Sequence, residues 1–257
     1  MSWALVTAVL LAAPPADVPV RDKLRLGVDW RLWGRALRIN APGSPETPLT
    51  AVGASPTGLT LDVQWFPAAY FVDDRGADVG ITMRVDTAPD YGISLGTEGT
   101  RFVGSTTQLR TGMMFRLPFR YAEPAFHAGY HLFEATSSPF ANDGTPRPPV
   151  PNVSMQGPRL ALSLRLIEFW RVTFDVAAGA TWLMGLGEIA MPRFFPEAKG
   201  SAFDVKGGLA FRTWKWLDVR LGVDVTVHAL ALDKAGTKTA TDAYYGVSLG
   251  IVFKGLP

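Results

Sequence analysis

Ala243-Tyr244-Tyr245-Gly246-Val247-Ser248-Leu249-Gly250-Ile251-Val252-Phe253, the last long run of the chain, decides how the rest is read. Tyr245, Val247, Leu249, Ile251 and Phe253 recur at every second residue, with Gly246, Ser248, Gly250 and Val252 between them. Successive side chains of an extended chain point to opposite faces. The run is therefore a strand with one apolar face and one face of small or polar groups. Phe253 closes it, and only Lys254, Gly255, Leu256 and Pro257 follow.

Nine more runs of the same kind precede it. They cover Leu24–Leu32, Leu59–Trp65, Asp78–Asp86, Gln108–Phe119, Phe126–Phe133, Leu160–Leu166, Arg171–Trp182, Phe203–Arg212 and Val219–His228. In each, one parity is apolar and free of Asp, Glu, Lys and Arg. The charges fall on the other parity: Arg25, Asp29, Arg31, Asp62, Asp78, Arg84, Asp86, Arg110, Arg116, Arg165, Arg171, Asp175, Asp204, Lys206, Arg212, Arg220 and Asp224. Of these seventeen, ten are basic and seven acidic, so opposite charges on neighbouring strands can pair.

The links between runs alternate in length. Long, Pro- and Gly-rich links, 39–57, 87–106, 134–156, 184–200 and 233–242, follow the odd runs, and short ones follow the even runs. Within 87–106, Tyr91, Ile93 and Leu95 alternate as a projecting hairpin would. A Greek-key sandwich gives no reason for that asymmetry. An up-and-down barrel with short turns at one end and long loops at the other requires it. The fold class is therefore all-β: an antiparallel up-and-down transmembrane β-barrel of ten strands, with eight or twelve as the alternatives.

The two faces say why the barrel sits in a membrane. A Lys or Arg facing hydrocarbon at mid-depth costs roughly 2–4 kcal/mol, so a lipid face excludes it. Inside a narrow barrel, opposite charges pair and fill the space. Trp65, Phe66, Phe119, Tyr121, Phe169, Trp170, Trp214, Trp216 and Phe253 gather at the short-turn ends. Trp30, Tyr130, Trp182, Phe203 and Tyr245 lie toward the long loops, giving two belts of interfacial rings.

Composition agrees with an envelope protein. Of 257 residues, 47% are hydrophobic and 19% charged, against about 25% charged in ordinary domains. Without any cysteine there is no disulfide framework and no thiolate metal site. A net charge of +2 gives no reason to expect a nucleic-acid partner. Residues 1–16 (MSWALVTAVLLAAPPA) have the length and small-residue end of a secretion signal and are too short to span a bilayer as a helix. Residues 17–23 read as a linker, 24–253 as the barrel and 254–257 as a tail.

With these residues in view, the chain resembles Gram-negative outer-membrane β-barrels of the small OmpA/OmpX-like class. Tyr245, Gly246, Leu249, Ile251 and Phe253 resemble their C-terminal strand signal. The resemblance implies residence in the outer membrane, contact with lipid bilayer and lipopolysaccharide, and insertion by the barrel-assembly machinery. It implies nothing about catalysis.

The histidines offer little chemistry. His127 and His131 share a face but stand about 13 Å apart along one strand, too far to share a metal ion. His228 and Asp224 have the same spacing, leaving a partner from an adjacent strand open. Surface proteases of the omptin type need a close acidic pair and an Asp–His pair at the outer rim, whereas Asp73-Asp74 falls in a short turn. A lipase-like barrel needs a Ser–His pair at the lipid boundary, but Ser163 and Ser248 face inward. No catalytic, cofactor or metal residues are assigned. Two functions stay open: a non-enzymatic barrel with a side-chain-filled polar lumen and loops that meet an extracellular ligand or partner, or a narrow pore with a weakly cationic lumen.

Overall fold

Alternating runs bury their backbone polar groups by pairing edge to edge, and the pairing accounts for the whole wall. A computed structural model describes residues 22–40, 49–72, 75–95, 101–119, 121–140, 151–169, 171–192 and 194–255. The strands are β1 (Leu24–Asn40), β2 (Leu49–Trp65), β3 (Val79–Leu95), β4 (Arg101–Arg116), β5 (Ala122–Ser137), β6 (Val153–Phe169), β7 (Val172–Leu183), β8 (Gly185–Gly187), β9 (Lys199–Trp214), β10 (Leu217–Ala231) and β11 (Thr239–Lys254). Ten of them form a closed antiparallel barrel in which each pairs with its sequence neighbours and β11 returns to β1. The three-residue β8 prolongs the line of β7 along β6, pairing Gly185 with Gln156 and Gly187 with Val153.

The expected parity holds on every wall strand. Between the upper rings (Trp30, Tyr130, Trp182, Phe203, Tyr245) and the lower ones (Trp65, Phe119, Trp214, Trp216), outward positions among the described residues are apolar, Gly, Pro or Thr. Leu162 is 65% exposed, and Met113, Val205 and Val223 are similarly bare. That belt is the lipid face. Trp214, Trp216 and Phe253 stack in a ladder, each ring centre 6.0 Å from the next, at its lower edge.

Four readings change. The strands run well into segments that the sequence reads as loop: β2 begins at Leu49, β3 continues to Leu95, β4 starts at Arg101 and β6 at Val153. Backbone pairing needs no apolar parity, so the ladder persists above the lipid. There Pro89 is absorbed by a register shift between Ala88 and Tyr91. Arg171 does not line the lumen. It is exposed in the β6–β7 turn at φ 69°, because Phe169 already pairs with Val172 and leaves only two residues to reverse direction. Asp78 is buried but off the strand, ending a short 3-10 helix, Arg75–Asp78. Phe66 points inward: with Ala69 and Ala77 it forms a small apolar foot where the β2–β3 turn folds back under the barrel. The signal reading of 1–16 lies outside the described residues, as do the middles of three long links.

Because hydrocarbon tolerates charge only off the belt, Val223→Arg prevents assembly whereas Thr241→Arg, exposed above Tyr245, does not. Gel mobility of unboiled against boiled samples reads this, and equal behaviour of the two variants would displace the belt.

Candidate functional site: the filled lumen

Inward positions stack in layers along the barrel axis. Lowest, Arg25 reaches Asp22 at 2.7 Å and Glu123 at 2.8 Å, and Arg165 joins Glu123 at 2.8 Å to Asp175 at 2.7 Å. Arg116, fully buried, lies 3.5 Å over the Phe66 ring and 3.6 Å from Asp78. Above them Arg220 contacts the Asp29 carboxylate and stands 3.5 Å from Asp62, which Lys206 approaches at 3.3 Å.

The next layer is the densest. Arg31 bridges Asp86 at 3.0 Å and Asp224, while Arg84 reaches the same two carboxylates at 3.0 and 3.5 Å. Arg159 holds Asp204 at 2.6 Å, and Arg110 donates to the Thr226 hydroxyl at 2.7 Å. Two of these contacts, Arg84 with Asp224 and Arg110 with Thr226, cross the lumen. Arg110 on β4 and Thr226 on β10 lie five strands apart round a ring of ten, on opposite walls. Lys206–Asp62 and Arg25–Glu123 each span four strands.

Higher still the polar lumen gives way to a mixed layer. Arg35 holds Asp242 through two bonds of 3.0 and 2.9 Å, and the Tyr244 hydroxyl donates to the same carboxylate at 2.5 Å. His131 bonds Gln108 at 2.8 Å and Thr181 at 3.3 Å, and stacks on His228 at 5.8 Å. At the long-loop end the inward parity turns apolar: Trp33, Phe102, Phe133, Met155, Leu230 and Tyr244 belong to one buried cluster. The lumen is thus polar only in its lower and middle parts.

The described residues leave space within the lumen. One cavity of about 120 Å³ lies in the middle among Arg84, Arg110, His127, Asp204 and Lys206. Another of about 480 Å³ opens toward the short turns among Arg25, Thr173, Arg212, Lys215 and Asp218. Asp62, Glu123, Arg165, Asp175 and Arg220 line both, so the two adjoin.

The residues singled out in the sequence thus meet in the lumen, Arg171 excepted. In the closing strand Tyr245, Leu249 and Ile251 face lipid. Gly246 faces inward, where a Cβ would overlap the Arg31 guanidinium, so the glycine makes room for the central bridge. Sequence reading missed Glu123, Arg159, Arg35 and Asp242. Each lies just beyond a recognised run and carries the run's inward parity, which was the signal available. His228 does gain an adjacent-strand partner: Nδ1 sits 3.3 Å from the main-chain oxygen of Asp242, not from its carboxylate. His127 Nε2 bonds Ser163 Oγ at 2.8 Å in the lumen. In the β10–β11 link, a bond from the Thr237 hydroxyl and others from backbone N–H groups hold the exposed Asp233 carboxyl below its usual range.

Fold and site together define a transmembrane β-barrel with the architecture of Gram-negative outer-membrane barrels. Among solved structures the chain is similar to the outer membrane protease OmpT from Escherichia coli, with 7% identity and a TM-score of 0.53 over 91% of this chain and 97% of that one. It also aligns with the outer membrane protein OprG from Pseudomonas aeruginosa, at 9% identity and a TM-score of 0.39 over 93% and 99% of the two chains. No protein-family profile and no curated protein matches the sequence. At 7% identity the likeness to the protease shows the fold alone.

Asp224→Leu strips a carboxylate from two buried guanidinium groups, and removing one partner of such a pair costs about 3–5 kcal/mol. Lys234→Ala, which breaks an exposed pair with Glu197, costs about 0–1 kcal/mol. Urea unfolding in detergent separates them, and comparable losses would mean that the bridge carries little.

Proposed function

We propose that this protein is a non-enzymatic outer-membrane barrel with a sealed lumen, whose long hairpins meet a partner or ligand outside the cell. Lipid and lipopolysaccharide surround its belt, and the barrel-assembly machinery inserts it by the closing strand. The observation that carries the reading is the meeting of side chains from opposite walls, Arg110 with Thr226 and Lys206 with Asp62. An apolar cluster lies above them. Charged groups that span the lumen and are matched by partners leave no continuous aqueous path. The non-enzymatic reading draws support from the engagement of His228 and Asp242. The ring is fully buried, and the carboxylate is taken up by Arg35 and Tyr244.

A narrow pore is the second reading, favoured by the two adjoining cavities. Planar-bilayer recording decides between them. The sealed barrel gives no steady conductance, and a stable open level in the purified protein would establish the pore.

Orientation is tested separately on the cysteine-free chain. Thr237→Cys, in the β10–β11 link, reacts with a membrane-impermeant maleimide on intact cells. Lys215→Cys, in the β9–β10 turn, reacts only once the outer membrane is opened. The reverse pattern would turn the barrel over.

A further inference from the structure

We propose that the lower lumen is a pocket, open toward the short turns, for a short zwitterionic peptide. The sealed lumen matters here only in fixing the side from which the guest enters. Above, the bridge from Arg31 to Asp86 and Asp224 closes the way. Below lies the cavity of about 480 Å³, where Gly27, Ala210 and Val252 leave room between the charged side chains.

The polar groups left over differ between its two ends. Asp175 and Gln64 line both this cavity and the middle one, so they stand at its deep end. Asp175 gives one oxygen to Arg165 at 2.7 Å, and its other oxygen takes no bond from a described residue. Gln64 Oε1 is buried and likewise unmatched. Acceptors without a donor are costly, and an ammonium group would match them. The mouth is cationic instead. Lys215 is exposed on the β9–β10 turn, and Arg212 lines the same end. Both suit a carboxylate. Asp218, opposite Arg212 in register, is 4% exposed. Lys254 takes its Oδ2, which leaves the unmatched Oδ1 for a peptide N–H.

The distance between the two ends sets the length of the guest. Asp175 is paired with Gly208 on β9, and Arg212 lies farther down the same strand. The rise from Gly208 to Arg212 is about 13 Å. Three extended residues span roughly 10 Å, and a hydrogen bond at each end makes up the rest. A free amino acid, at about 3.5 Å, reaches one end and leaves the other. The pocket therefore reads both termini of a peptide of about three residues, ammonium inward and carboxylate toward the mouth.

Isothermal titration of the purified barrel in detergent micelles with trialanine provides the test. Trialanine binds saturably at millimolar concentration. N-acetyl-trialanine and trialanine amide, each lacking one terminal charge, bind about tenfold more weakly. Variants then tell the two ends apart. Asp175→Asn, its folding verified by unboiled gel mobility, loses the penalty for acetylation and keeps that for amidation. Should it fail to assemble, Gln64→Met reports on the same end by reducing the acetylation penalty. Lys215→Gln, on an exposed turn, cuts the penalty for amidation severalfold and keeps that for acetylation. Absence of saturable heat with trialanine, equal binding of the capped peptides, or variants that keep both penalties overturns the proposal. None of these readouts passes through bilayer conductance, so the pocket and the sealed lumen stand or fall separately.

Discussion

Hydrocarbon offers no hydrogen-bond partner to a peptide group, so a chain that crosses it with strands must close its sheet. Here closure rests on the ladder between the first and last strands, which runs in unbroken register from Arg25 opposite Lys254 to Asn40 opposite Thr239. Everything else follows from that seam. Once the ring is shut, side chains have only two directions. One is lipid, which refuses charge, and the other is a lumen too narrow to hydrate many ions separately. The charges of the strands are therefore sent inward and must satisfy one another there.

Arginine dominates that interior for a geometric reason. A guanidinium presents several donors in a plane and stays charged, so one side chain can serve two carboxylates. Arg31 does so between Asp86 and Asp224, and Arg165 between Glu123 and Asp175. The Arg31 bridge fastens strands that are not neighbours in the ring, whereas the Arg165 bridge ties β5, β6 and β7 side by side. The ladders bind adjacent strands, and the guanidinium groups brace the ring across its width. Gly246 belongs to the same device, since the closing strand approaches Arg31 too closely for a side chain.

The parity of Leu160, Leu162, Leu164 and Leu166 against Arg165 is legible in the sequence because the lipid belt imposes it residue by residue. Above the belt nothing imposes it. Arg35 and Asp242 face inward among apolar neighbours such as Leu37 and Tyr244, so no clean alternation marks those residues as strand. Arg171 fits the inward parity by sequence yet falls in a turn, because a two-residue reversal consumes it before the ladder restarts. Phe66 has the composition of an interfacial ring and the position of a foot. Its direction depends on the β2–β3 link folding back, which no local pattern records. Which inward charge meets which was not legible either, since partners such as Lys206 and Asp62 are 144 residues apart.

Those long-range partners bear on how the wall comes into being. Arg110 and Thr226 meet only when half the ring separates them on each side, and Lys206 reaches Asp62 only from across the lumen. An incomplete sheet therefore holds its charges unmatched as well as its edges bare, and neither can rest in hydrocarbon. The chain becomes compatible with the membrane at a single moment, when the last strand finds the first. The same coincidence works in reverse: an inserted barrel cannot shed strands one at a time, because the first to leave would orphan charges on the far wall. Its persistence in the membrane is then a matter of rate, set by the improbability of losing both seams and bridges together.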